Sequence, residues 1–158
     1  MKPTPQPAVW VVSLALIGAL SCNDSDDGMF PDDKTKMELL TATPWRRTAL
    51  ISTPAYDWYA NGVAATDVLS IMLPCEKDNL DLYSQNGIFT TDEGPTKCSP
   101  SDPQTWTMNW AFADNETKLI FDGTDVYTLM ELTETTLKFQ TTFVENGVSY
   151  THVESYGH

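Results

Sequence analysis

The sequence predicts an all-β fold: an eight-stranded antiparallel up-and-down barrel with one or two short helices. Three observations carry this. The Asn-Gly dipeptide occurs between strand-like runs at Asn86-Gly87 and Asn146-Gly147, and both residue types tolerate the positive φ of a type I′ hairpin turn. Residues 105–112 alternate, with Trp106, Met108, Trp110 and Phe112 on one face and Thr107, Asn109 and Ala111 on the other, which is the period of a strand. Cys75 lies eleven residues before Asn86, and Cys98 lies eleven after Gly87. A hairpin folding at that dipeptide therefore brings both cysteines to the same end of its ladder. The expectation is a disulfide-pinned hairpin, with two buried thiols as the alternative. Such a bridge is worth roughly 3 kcal/mol in the chain-entropy model.

The elements follow in order. Residues 1–21 hold one lysine, Lys2, no acidic residue, and an apolar run over 8–20 that ends at the small Ser21. This predicts a signal peptide, shorter than a membrane-spanning helix. Residues 22–33 are acidic and interrupted by Gly28 and Pro31, so a tether is expected. The domain proper is then 34–158. A short helix over 34–40, with Met37 and Leu40 apolar, ends before Pro44. Residues 45–52 are rich in strand formers and make the first strand. Residues 54–62 form an aromatic loop with Tyr56, Trp58 and Tyr59. Residues 66–73 read as two helical turns, with Thr66 as N-cap and Pro74 as the stop. Strands follow at 80–83, 88–91, 105–112, 118–121, 126–132, 137–143 and 148–156. Eight strands joined by tight turns can close on themselves and remove exposed edges. A barrel of that size is filled by its own side chains or holds one small ligand.

Charge and chemistry narrow the function. Lys and Arg number 9 against 22 Asp and Glu, for a net charge of −13. That argues against a nucleic-acid partner, because phosphate binding needs a basic face. The plain reading of the charge is solubility, and the sharper one is attraction of cations. Cys-x-x-Cys, His-Glu-x-x-His, Gly-x-Ser-x-Gly and phosphate-cradling glycine loops are missing from the sequence. The expectation is a protein that is not an enzyme, with no catalytic residue, no metal and no cofactor. His152 shares a strand face with Tyr150, Glu154 and Tyr156. That face reads as a solvated or hydrogen-bonded terminal strand, or more sharply as a polar binding wall. Residues 57–62 echo a calcium loop, but Tyr59 stands where an oxygen ligand belongs, so a turn at Asn61-Gly62 is expected instead. Trp106, Met108, Trp110 and Phe112 are the candidate ligand-binding residues if their face is interior and incompletely packed; plain core is the alternative. The aromatics of residues 54–62 either pack over the barrel mouth or meet a sugar or a protein.

Two resemblances add to this reading. Ala19-Leu20-Ser21-Cys22 resembles the bacterial lipobox, which implies cleavage before Cys22 and lipidation of it. The remaining two cysteines are then free to bridge in an oxidising compartment. The acidic residues behind Cys22 resemble the surface-export signal of some Gram-negative lipoproteins. Across residues 37–143 the order is a short helix, Thr43-Pro44-Trp45, Cys75-Glu76-Lys77-Asp78-Asn79, an Asn-Gly hairpin and Glu93-Gly94-Pro95-Thr96-Lys97-Cys98. This order resembles the lipocalin-like lipoproteins of Gram-negative bacteria. The resemblance implies a lipocalin-like barrel, anchored to the outer membrane through lipid on Cys22 and facing the cell surface. Two roles follow as expectations: binding of a small apolar or amphipathic ligand, or an interaction module of an outer-membrane complex contacting protein or glycan. Mass spectrometry of the mature protein is expected to find Cys22 as an acylated first residue, and an unmodified Cys22 would refute the anchor.

Overall fold

A computed structural model describes residues 34–158, so the expected signal peptide, lipidated Cys22 and acidic tether lie outside the described residues. The elements run α1 (Lys36–Thr41), β1 (Arg46–Tyr56), β2 (Ala65–Asp67), α2 (Val68–Ile71), α3 (Pro74–Lys77), β3 (Leu80–Tyr83), β4 (Ile88–Asp92), β5 (Thr105–Ala113), β6 (Lys118–Phe121), β7 (Asp125–Leu132), β8 (Leu137–Glu145) and β9 (Val148–Gly157). The strands form one antiparallel sheet in the order β2-β1-β9-β8-β7-β6-β5-β4-β3. From β3 to β9 each strand pairs with the next in sequence, which is the expected meander.

Two parts of the expected architecture are corrected. The described residues hold nine strands instead of eight, and the sheet curls into a half-barrel instead of closing. The reason is a mismatch of lengths. β1 has eleven residues and β3 has four. An isolated bridge joins Trp45 to Asp81 through two backbone hydrogen bonds of 2.8 Å, and there the pairing stops. Further along, the same edge of β1 is taken by β2, at Ile51 and Tyr56. A helix is expected to open at Thr66, but the backbone groups of that β1 edge draw residues 65–67 into a strand. Asp67, not Thr66, then caps α2, its Oδ1 accepting from Ser70 N at 3.1 Å. Pro74 ends one helix as expected, but it also opens α3 at a position where its missing N–H costs nothing.

The helix α1 forms because Thr35 and Glu38 cap it reciprocally: Thr35 Oγ1 accepts from Glu38 N, and Glu38 Oε2 accepts from Thr35 N. Its Leu40 is fully buried, and the Leu40 carbonyl accepts the buried Trp45 indole N–H at 2.9 Å. This contact seats the helix on the start of β1. The main core gathers Leu40, Trp45, Tyr83, Phe89, Trp110, Leu119, Phe121, Leu137, Phe139 and Tyr156. A smaller cluster of Leu50, Val68 and Met72 joins α2 to β1.

The two Asn-Gly hairpins differ. At Asn146-Gly147 both residues have positive φ, 51° and 79°, and Glu145 pairs directly with Val148, as a type I′ turn requires. At the other hairpin Gly87 has φ 82° while Asn86 keeps an ordinary backbone. Ser84 N donates to Ile88 O, so the loop has one residue more than a type I′ turn. The expected turn type there is therefore corrected, although the hairpin itself forms. Trp110 N donates to Gly87 O at 2.8 Å, which ties this turn to β5. Cys75 and Cys98 are bridged, with Cα atoms 5.2 Å apart.

Beside that bridge the chain crosses itself closely. A Cβ on Gly94, which has φ +68°, would lie 2.4 Å from the Asp78 carbonyl oxygen, whereas one on Gly62, φ +88°, would meet nothing within 4 Å. Gly94→Ala is expected to cost roughly 2–4 kcal/mol in urea unfolding, against about 1 kcal/mol for Gly62→Ala. Equal losses at the two sites would show that the approach to Asp78 constrains nothing.

Candidate functional site

The concave face of the half-barrel is built strand by strand. On β9 every second residue, His152, Glu154 and Tyr156, is buried. On β1 the register shifts between Arg47 and Ala49, so that Arg47 lies opposite Tyr156 and Leu50 opposite Glu154. A bulge of this kind lets one strand present residues of opposite parity to the same face. Arg47 thus points inward although its neighbours in sequence alternate the other way. On β3 the inward residues are Asp81 and Tyr83, both buried.

These residues meet in a polar network. Arg47 Nε lies 3.0 Å from Glu154 Oε2. The guanidinium also donates to the Tyr156 hydroxyl, at 3.2 Å from Nε and 3.0 Å from Nη2. The same hydroxyl donates to Glu154 Oε2 at 2.7 Å. Thr91 Oγ1 donates to Asp81 Oδ1 at 2.8 Å. Burial opposes the charge of Arg47, but Tyr156 and Glu154 favour it more, and the guanidinium is held above its ordinary range. Burial pushes the Asp81 carboxyl up to about 6, against the opposing effect of Thr91 and Arg47. It also pushes the Tyr127 hydroxyl up to about 12, and those of Tyr83 and Tyr156 well above their usual value.

Around this network runs a belt of rings, one from each of six strands. Successive centroids from Tyr83 to Phe89, Phe121, Tyr127, Phe139 and Tyr156 are 4.9, 5.1, 5.3, 5.1 and 5.3 Å apart. The three middle pairs meet edge to face and the two end pairs are tilted; edge-to-face pairs add about 0.5–1.5 kcal/mol each beyond the area they bury. The belt and the network together line a cavity of about 260 Å³. A larger, more open groove of about 630 Å³ adjoins it, sharing Arg47, Asp125, Tyr127 and Glu154 and adding Tyr56, Trp58, Phe143 and His152. The His152 ring packs against Phe143 at 4.8 Å and Tyr56 at 5.0 Å. Its Nε2 is buried without a hydrogen-bond partner.

The sequence-predicted residues are dispersed. Of the tryptophan strand, Met108 lines the inner cavity. Trp110 is core, its indole N–H donating to Ser84 O at 3.1 Å, and Phe112 packs beside it at 5.3 Å. Trp106 is 40% exposed and lines neither cavity. Of the two plain readings of the terminal strand face, the hydrogen-bonded one holds: His152, Glu154 and Tyr156 are buried, and the Tyr156 hydroxyl donates to Glu154. The calcium-like loop is the expected turn, with Asp57 accepting from the backbone N–H groups of Asn61 and Gly62 at 3.0 and 2.6 Å. Among the described residues no group of three or more ligands is placed to hold a metal. Trp58 packs on the smaller core cluster, while Tyr59 stands exposed and bonds Glu76. Sequence reasoning missed Arg47 and Asp81. The signal available for Asp81 was its alternation with Leu80 and Leu82, which places it on one strand face with Tyr83.

No family model matches this chain, and no curated protein matches it either.

The Asp81 carboxyl sets a pH dependence. Its folded-state pKa is raised, so the folded chain keeps a proton that the unfolded chain has released, and stability falls as pH rises from about 4 through 6. His152 acts in the other direction: burial lowers its pKa, and its contribution is lost as pH falls below the ordinary histidine range. Asp81→Asn is therefore expected to raise stability at pH 8 by about 1–3 kcal/mol and to flatten the fall between pH 4 and 6. Denaturant titrations across that range check both, and an unchanged profile would place the carboxylate in a solvated site.

Proposed function

We infer that the chain is a non-enzymatic, lipid-anchored protein of the Gram-negative outer membrane, exposed at the cell surface, whose lipocalin-like half-barrel binds a small amphipathic ligand. The observation that carries the ligand reading is the incomplete filling of the concave face. A cavity of about 260 Å³ lies beside a groove of about 630 Å³ with which it shares four lining residues, and the lining combines a belt of rings with a few converging polar groups. Ligand sites have this composition, whereas a barrel that serves as scaffold fills its interior with its own side chains. The envelope location is supported by the sequence of residues 1–33 and by a Cys75–Cys98 bridge, which an oxidising compartment permits.

A second reading, an interaction module contacting protein or glycan, is favoured by one observation. Trp106 on β5 is 40% exposed and lines neither cavity, and tryptophan is enriched among the residues that dominate binding surfaces. Native mass spectrometry of the protein isolated from cell envelopes separates the two readings. A bound small molecule is expected on the unmodified chain and is expected to be lost in the cavity-filling variant Met108→Trp. A chain that carries no small molecule under any gentle isolation would overturn the ligand reading.

A further inference from the structure

The chemical class of that ligand can be drawn from the charges lining the inner cavity, given that the cavity is a ligand site. Five charged side chains line it: Arg47, Glu76, Asp81, Asp125 and Glu154. Four are acids and one is a base. The base is already engaged, since Arg47 Nε lies 3.0 Å from Glu154 Oε2 and the guanidinium is bound to the Tyr156 hydroxyl. Glu76 accepts from the Leu73 backbone N–H and the Tyr59 hydroxyl. Among the described residues Glu76, Asp81 and Asp125 take part in no ion pair, and of the three only Asp81 is buried. Asp81 is 8% exposed and has one neutral hydroxyl donor, from Thr91. Arg47 favours its charge from a distance but makes no direct ion pair with it, so this buried carboxylate lacks the close counter-charge that burial normally demands.

A second, independent group points the same way. His152 is 6% exposed, lines the adjoining groove, and has a buried Nε2 without a partner. Two residues along β9 from Glu154, it stands about 7 Å further down the same face. Burial lowers its pKa, which leaves the ring neutral and able to accept a hydrogen bond. The walls between these groups are aromatic, and ring faces attract cations. An anionic headgroup would have to draw Arg47 away from Glu154 and then sit against the remaining carboxylates. The net charge of −13 adds a long-range field of the same sign.

We propose that the cavity binds a small organic ammonium compound, whose N–H groups donate to Asp81 while its apolar body lies against Phe89, Phe121, Tyr127 and Phe139. A longer ligand of this class extends into the groove, where a second donor reaches His152 Nε2.

Calorimetric titration of the full chain at pH 7.5 with three isosteres tests this: 2-phenylethylammonium, 2-phenylethanol and 3-phenylpropanoate. The ammonium is expected to bind at least tenfold more tightly than the alcohol, with the carboxylate weakest. Asp81→Asn, checked for folding by circular dichroism, is expected to erase the preference for ammonium over alcohol. If the alcohol or the carboxylate binds as tightly as the ammonium, the cavity takes ligands but the cationic class is wrong. If none of the three binds and native mass spectrometry finds no small molecule, the ligand site itself is wrong. The isostere series on the unmodified chain decides the matter even where the variant does not fold.

Discussion

The structure depends on the pairing of β1 with β9 and on the Arg47–Glu154 contact across it. The register runs from Arg46 opposite Gly157 to Thr53 opposite Thr151, with one shift between Arg47 and Ala49. The meander from β3 to β9 builds a curved sheet, and β1, which precedes it in the chain, supplies the wall that completes the concave face. Without the shift, Arg47 and Leu50 would lie on opposite faces. With it, both point inward, Arg47 into the polar network and Leu50 into the cluster under α2. One local irregularity thus joins the polar centre of the site to the smaller core.

A buried ion pair is a weak source of net stability, because desolvation offsets most of the attraction, yet removing one partner alone costs about 3–5 kcal/mol. The network around Arg47 therefore acts more as a constraint than as a reserve of stability. It fixes the guanidinium, Glu154 and Tyr156 relative to each other, and it keeps water-seeking groups in a place that could have been filled with leucine. The ring belt links six of the strands by successive side-chain contacts. Together they leave an interior that is rigid at its edge and polar at its centre, which is the physical basis for reading it as a binding site.

Much of the fold could be read from the chain. The hairpins at 84–88 and 145–148, the period of residues 105–112 and the spacing of Cys75 and Cys98 all rest on local rules, and each was found where expected. The misreadings came where a neighbour in space overrode a local preference. Residues 65–67 pair with β1 instead of opening a helix, and Asn86 keeps an ordinary backbone because the loop is one residue longer than the dipeptide suggested. The candidate site was less legible. The tryptophan strand does face inward at Met108, Trp110 and Phe112, but most of that face is consumed by packing. Arg47 gave no warning, since a bulge leaves no mark in composition, and alternation alone does not say which face of residues 80–83 turns inward.

What the amino-acid sequence determined by itself is eight of the nine strands, the antiparallel order of the meander and the site of the covalent bridge, because turn chemistry and side-chain alternation act over a few residues. Only the tertiary structure decided whether the barrel closes, which of two parities faces inward, and which charges are left without partners. Those outcomes depend on the relative lengths of β1 and β3 and on a single shift of register, quantities that exist only once distant strands lie side by side.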